Sequence, residues 1–325
     1  MERRKVCKLG AASLVVSLPV AWVRLTGIKK GDEVYAYPRG LSLVITPRER
    51  KRERGAAEVV LLEGQDAQGA VIEVFARYVS GFDSIRVVNR ASRKELDSLL
   101  EAVDSHLLGV EVLSQSADSA TLQVFTREHA SLPMLLKRLR FVVKSLCALL
   151  LQELRKPEFD SSQIKVLTKS AFKLYFLVLR LVYGAARGSR ELAESRSSFA
   201  ELLSYALCAK NIGGVLDAIM KIVRAYDGLG KGFEHDAALI ESVSKAADLY
   251  ERCFTAFIRK EKMDFGAVRR ERRELIVAVN CLPQSKGLFE EEARVLRDTQ
   301  LLAYELADNA GELMELAANI AGFED

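Results

Sequence analysis

From Ser131 onward, apolar residues recur at spacings of three and four, and this period dictates what most of the chain can become. Ile164, Leu167, Ala171, Leu174, Val178 and Leu181 fall on one stripe of a helix. Leu239, Val243, Ala246, Tyr250, Cys253 and Phe257 do the same, as do Leu302, Leu306, Ala310, Leu313, Ala317 and Ile320. A helix with one apolar stripe must bury it against other helices, so the spacing predicts bundles. Ser131-Leu-Pro133 opens the first helix with a capping residue and an early proline, and the helix stops before Pro157. Asp227-Gly-Leu-Gly-Lys-Gly232 then breaks the pattern into two sets of about three helices. Sliding the second set onto the first by 91 residues places Asp308 on Asp217, Leu306 on Val215 and Leu313 on Ile222. This internal repeat predicts two related three-helix bundles, over 127–230 and 231–325.

Upstream, the period changes. Glu58–Leu62, Ser84–Val88, Val110–Leu113 and Ala120–Phe125 read as strands, the last two as a hairpin around Ala117-Asp118. Ala70–Val79 reads as a helix, and a second helix runs from Ser92 to about Leu107, with Glu95 placed to complete a capping box. Residues 58–126 are therefore expected to form a small α/β region, and no chemistry is visible in it. Residues 48–57 contain the charge run RERKRERG and read as a linker.

Residues 1–47 alternate too quickly for helices. Val6–Leu9 and Leu14–Leu18 read as strands around Gly10-Ala-Ala-Ser13. Val20–Thr26 reads as a short helix, opened by Pro19 and stopped by Gly27. Lys30-Gly-Asp-Glu33 is a turn, followed by strands Val34–Tyr37 and Leu41–Thr46 joined at Pro38-Arg-Gly40. A segment of this size cannot bury a core alone, so obligate pairing with a second copy is expected.

Charge is what gives this head a function. The chain carries a net +4, but residues 1–55 hold 13 Lys/Arg against 5 Asp/Glu while the remainder holds 35 against 39. A basic head on a mildly acidic body is suited to a polyanion. Duplex DNA is a dense line of phosphates, and paired basic strands gain affinity by releasing its counterions. Arg3, Arg4, Lys5 and Lys8 are the expected backbone contacts, and Ser13 and Ser17 the expected hydrogen-bond donors to phosphates or base edges.

Other functions find little support in the pattern. The histidines, His106, His129 and His235, stand singly, so triads and histidine metal sites have no foothold. Gly228-Leu-Gly-Lys-Gly232 lacks the Lys-Ser/Thr ending of a phosphate loop and follows helical pattern instead of a strand. The expected function is not enzymatic. Five cysteines without a CxxC spacing point to a reducing, cytoplasmic setting. The apolar run after the basic N-terminus is interrupted by Pro19, and later apolar segments are cut by Lys144 and Arg180, so neither a secretory signal nor a membrane span is expected.

The stretch VCKLGAASLVVSLPVAWVRLTGIKKGDEVYAYPRGLSLVITP resembles the AbrB/MazE-type swapped-hairpin DNA-binding domain. The shared pattern is a basic strand, Leu-Gly, a small polar loop, an apolar strand ending in Leu-Pro, a short helix, Gly-Ile-Lys-Lys-Gly-Asp-Glu-Val and a closing hairpin. The resemblance implies two interleaved chains that bind DNA through a basic face. Ser17 stands where many members of that family carry a basic residue.

The helical body resembles PhoU, a phosphate-signalling protein built from two three-helix bundles. Archaeal proteins that join the two modules resemble this chain throughout, including SGFDSIRVV at 80–88 and KLYFLVLRLV at 173–182. The resemblance implies an α+β multidomain fold: a swapped-hairpin β domain, a small α/β middle region and a pair of three-helix bundles. It implies a homodimeric DNA-binding transcriptional regulator linked to phosphate uptake or phosphate signalling. The alternative is an accessory protein that contacts a phosphate transporter or signalling protein, its head serving only to dimerise. No cofactor is required by the pattern. The PhoU resemblance does imply a divalent or iron-type metal at Glu-x-x-x-Asp motifs, which align with Gly213–Asp217 and Tyr304–Asp308. Asp217, Asp308 and the adjacent Glu305 are the candidate ligands, and both motif glutamates are replaced.

Overall fold

The computed structural model describes residues 3–10, 13–39, 42–47, 56–63, 67–125, 131–156, 158–186, 198–229, 233–282 and 288–321. The fold is of mixed α+β type, with short strands first, a four-stranded sheet next and long helices after. The chain divides into two units, Met1–Arg52 and Glu53–Asp325.

In the first unit, β1 (Cys7–Leu9) pairs antiparallel with β2 (Ser13–Val15). Gly10 leaves β1 at φ 70°, a conformation that favours glycine. Helix α1 (Val20–Thr26) starts after Pro19 and ends at Gly27, φ 68°, whose N–H donates to the Val23 carbonyl. β3 (Val34–Arg39) and β4 (Ser42–Pro47) form a second antiparallel pair. Two expectations shift here. β2 stops at Val15 instead of reaching Leu18, and β3 runs through Pro38, which lies opposite Leu43. In a two-stranded ribbon alternate N–H groups point away from the partner, so a proline can sit in the strand. No described residue of this unit is buried. Leu14 and Leu25 are 73% and 79% exposed, and Val6, Leu9 and Leu43 are exposed as well.

The second unit opens with β5 (Ala57–Leu62), α2 (Ala67–Val79), β6 (Ser84–Arg90), α3 (Arg93–His106), β7 (Val110–Gln115) and β8 (Ser119–Val124). The strand order is β5-β6-β8-β7, with β5 parallel to β6 and the other pairs antiparallel. Parallel β5 and β6 need a crossover, which α2 supplies. Alternation buries Val59, Leu61, Ile85, Val87, Ala120 and Leu122 against Val74, Tyr78, Leu96, Leu99 and Val103 of the two helices. The capping box is present: Glu95 N–H donates to Ser92 Oγ at 3.3 Å and Ser92 N–H to Glu95 Oε2 at 2.8 Å.

Helices α4 (Leu132–Leu154), α5 (Ser162–Ala186), α6 (Phe199–Leu229), α7 (Ala237–Arg259), α8 (Phe265–Asn280) and α9 (Glu290–Ala321) follow. Ser131 caps α4, accepting from Met134 N–H at 3.4 Å. α6 continues through Asp227 and Gly228, so the expected glycine break begins later than its first residues. α5 packs on α4 and α6, α9 on α6, α7 and α8, and α4 also on α7. One apolar core runs through both trios, from Leu139, Val178, Ile212 and Ile219 to Val243, Phe254, Leu306 and Leu313.

The repeat has a different register from the expected one. The Asn211 amide donates to the Asn309 carbonyl, its counterpart 98 residues on, at 3.2 Å. In that register Asn211-Ile-Gly213 superimposes on Asn309-Ala-Gly311, and each buried position of α6 from Ser204 to Val223 meets a buried position of α9. The expected shift of 91 differs by two helical turns, which still places apolar on apolar and so conceals the error.

The sheet layer is held to the helices by Arg180 of α5, which is only 7% exposed. Its guanidinium donates to the carbonyls of Tyr78 at 2.7 Å and Phe82 at 2.9 Å, and to Asp83 Oδ1 at 2.6 Å. It also lies over the Tyr78 ring, 5.1 Å from the centroid. Phe75 of α2 meets Phe176 of α5 edge-on at 4.7 Å. Arg180→Met is expected to destabilise the protein by about 3 kcal/mol in urea denaturation, because the Phe82 carbonyl and the Asp83 carboxylate lose this donor and the Tyr78 carbonyl keeps only the Gly81 N–H. Arg252→Met, which removes an exposed pair with Glu271, is expected to cost under about 1 kcal/mol.

His235 sets an acid limit on stability. Its Nε2 lies 2.7 Å from the Tyr226 hydroxyl, and Phe159 stacks on Tyr226 at 4.0 Å. Burial pulls the imidazole down to about 4, from 6.5. Between those values the unfolded chain binds a proton that the folded chain refuses, so stability rises with pH there. Unfolding free energy should be unaffected by His235 above pH 6.5 and fall by about 2 kcal/mol as pH drops through the window to about 4, with His235→Phe flattening that slope.

Candidate nucleic-acid interface

The cations of the first unit are concentrated. Residues 3–31 contain Arg3, Arg4, Lys5, Lys8, Arg24, Lys29 and Lys30 and no acid. Arg3, Arg4 and Lys5 precede β1, Lys8 is its middle residue, Ser13 opens β2 and Ser17 follows it. All six expected contact residues are exposed.

The strand register sorts them. Lys8 lies opposite Leu14, and Leu9 opposite Ser13. Residues directly opposite share a face of an antiparallel pair, and neighbours along a strand do not. Lys8 and Ser13 therefore occupy opposite faces of the hairpin. Arg4 and Ser17 are brought together, with Arg4 Nη1 donating to Ser17 Oγ at 3.4 Å. A guanidinium beside a hydroxyl offers several donors to one phosphate.

Three further cations lie in the same acid-free stretch. Arg24 sits in the last turn of α1, where a cation complements the helix C-terminus. Lys29 and Lys30 are exposed in the following turn. The acid that ends the stretch, Asp32, accepts the Lys29 backbone N–H at 2.9 Å. The Gly27 stop signal is what could have drawn Arg24 into the sequence reading.

The candidate metal ligands are distributed differently. Asp308 on α9 forms an ion pair with Arg272 of α8. Glu305 Oε2 accepts from Asn309 at 3.2 Å, and Asn211 donates to Glu312 Oε2 at 3.2 Å. Asp217 is exposed on α6 near Tyr175, whose hydroxyl is pushed up first by burial and then by the Asp217 charge. In the 98-residue register Asp217 corresponds to Glu315 and Asp308 to Lys210, so the two aspartates are not equivalent positions. The equivalent positions are the two glycines. Tyr175 lies across Gly213, 3.1 Å from where a Cβ would stand, and Arg272 across Gly311 at 2.9 Å. Among the described residues, no group of three or more His, Cys, Asp or Glu side chains is arranged to hold a metal ion.

Burial holds the Cys147 thiol up to about 12 and Cys253 to about 11, so both are inert apolar fillers at neutral pH. Among the described residues no helix is long and apolar enough to cross a membrane. Compared with known proteins, the chain is matched by no protein-family model, no curated protein and no solved structure.

Proposed function

We propose that this protein is a DNA-binding transcriptional regulator that works as a homodimer, its head on duplex DNA and its helical body relaying a signal linked to phosphate. The observation that carries this reading is a head with seven cations and no acid across residues 3–31, and with no buried residue among those whose burial is described. The cations supply affinity through counterion release, which needs no base-specific contact. The exposed Val6, Leu9, Leu14, Leu25 and Leu43 supply a reason to dimerise, since burying such side chains stabilises by about 1.5–3 kcal/mol each. A second copy presents the same apolar surface and doubles the cations along one duplex. The phosphate link rests on the resemblance of the helical body to PhoU, and the site chemistry does not add to it.

Fluorescence anisotropy against the protein's own upstream DNA is the direct test. Affinity should fall steeply with salt, and Arg4→Ala combined with Lys8→Ala should reduce the slope of log K against log salt by about 3 to 4 for a dimer. Equal affinity of wild type and double variant at every salt concentration would remove DNA as the ligand of this face.

Light scattering tests the dimer separately. The wild type should give twice the mass of 36.1 kDa at micromolar concentration, and Leu14→Asp should shift it toward the monomer. A monomer whose head amides are protected from hydrogen exchange would contradict the pairing.

A further inference from the structure

The first helical hairpin of the body carries a large excess of positive charge. Residues 131–186 hold 10 Lys/Arg and 3 Asp/Glu, while the rest of residues 56–325 holds 25 against 36. On α4 the segregation is complete at the surface. Met134, Lys137, Arg138, Phe141, Lys144, Ala148 and Gln152 are exposed at spacings of three and four, so they line one face. The only acid of α4, Glu153, is 5% exposed and is bound by Lys156 at 2.6 Å.

Two large apolar side chains stand in the middle of these cations. Met134 is 67% exposed and Phe141 65%, two helical turns apart on the same ridge. Lys137 and Arg138 lie between them and make no ion pair or hydrogen bond with another described residue. Lys144 lies 3.5 Å from Glu251, which Arg140 anchors from the buried side. The fold does not need this face: α4 packs its opposite side, Leu136, Leu139, Val143, Leu146 and Leu150, into the core.

We propose that the exposed face of α4 docks on an anionic lipid surface, with Phe141 and Met134 entering the interface and Lys137, Arg138 and Lys144 pairing with lipid phosphates. Charge complementarity selects a polyanionic partner, and the two apolar residues select among polyanions. A duplex offers phosphates but takes up an apolar side chain only by unstacking a base step, at a cost of roughly a few kcal/mol. An acidic helix needs a groove, whereas α4 presents a convex ridge. A bilayer surface accepts both parts, at about 1 kcal/mol for each cation near anionic lipid and more for a buried aromatic ring.

The test is co-sedimentation of the full chain with vesicles of phosphatidylcholine alone or containing phosphatidylglycerol. Binding is expected only to the anionic vesicles. Lys137→Glu with Arg138→Glu should weaken it by about a hundredfold, and Phe141→Ser or Met134→Ser by about tenfold each. Arg4→Ala with Lys8→Ala, in the head, should leave most of the binding in place. All substituted positions are exposed, and an unchanged thermal midpoint establishes that each variant is folded. Absence of binding to anionic vesicles would overturn the proposal. So would binding that survives the α4 variants and vanishes with the head variant. Loss on charge reversal with indifference to Phe141 and Met134 would reassign the face to polyanions in general, duplex DNA included. Self-association lost in Phe141→Ser, without vesicle binding, would reassign it to a second copy.

Discussion

The Arg180 guanidinium is enclosed by oxygen acceptors, and the position of the sheet layer on the helices depends on it. Its three hydrogen bonds go to the C-terminal end of α2 and the turn before β6. Two of these acceptors are main-chain carbonyls, and that of Tyr78 accepts the Gly81 N–H as well, at 2.9 Å. A buried charge is retained only where such groups satisfy it, so α5 can sit against the sheet layer in one place only. Phe75, Phe172, Phe176 and His106 then fill the contact around that point. Sheet layer and helices become one unit for this reason, although their sequence periods differ.

The head follows the opposite logic. Its elements are well specified locally, with Gly10, Pro19, Gly27 and the two strand registers each in place. Local specification does not provide a core, and no described residue of the unit is buried. A hairpin pair without a buried face is marginal in water. In the proposed homodimer, association supplies the free energy that the head lacks, which makes concentration part of its folding.

How far the sequence was legible depends on the range of the interaction. The three-and-four spacing placed the helices, and the Ser92–Glu95 capping box and the α1 bounds were readable because their signals lie within a few residues. The 91-residue register differs from 98 by two helical turns, and the Asn211–Asn309 contact and the match of buried positions distinguish them. That contact joins residues on different helices and has no local signature. Arg180 read simply as a charge that cuts an apolar segment, since its acceptors lie about 100 residues upstream (separations of 97, 98 and 102). For the site, the basic stretch was visible as composition, but the separation of Lys8 from Ser13 needed the strand register. The pairing of Asp308 with Arg272 needed the packing of α8 on α9.

Charge segregation connects these observations. Residues 1–55 carry 13 cations against 5 acids, residues 131–186 carry 10 against 3, and the rest of the chain carries 25 against 36. A modest net charge of +4 therefore conceals two cationic surfaces and an acidic remainder. Exposed charges lose sight of one another beyond about 8 Å at physiological salt, so each surface acts on its surroundings by its local charge instead of the net value. Two such surfaces on one chain can compete for polyanions or be occupied together. If the head binds DNA as proposed, a partner on α4 withdraws it from DNA by mass action in the first case and raises its effective concentration there in the second. Which regime holds depends on the segment between the two, whose residues 48–54 carry five cations against two acids. Added salt weakens both surfaces together, so competition and tethering differ in how head affinity responds to a partner on α4 at fixed ionic strength.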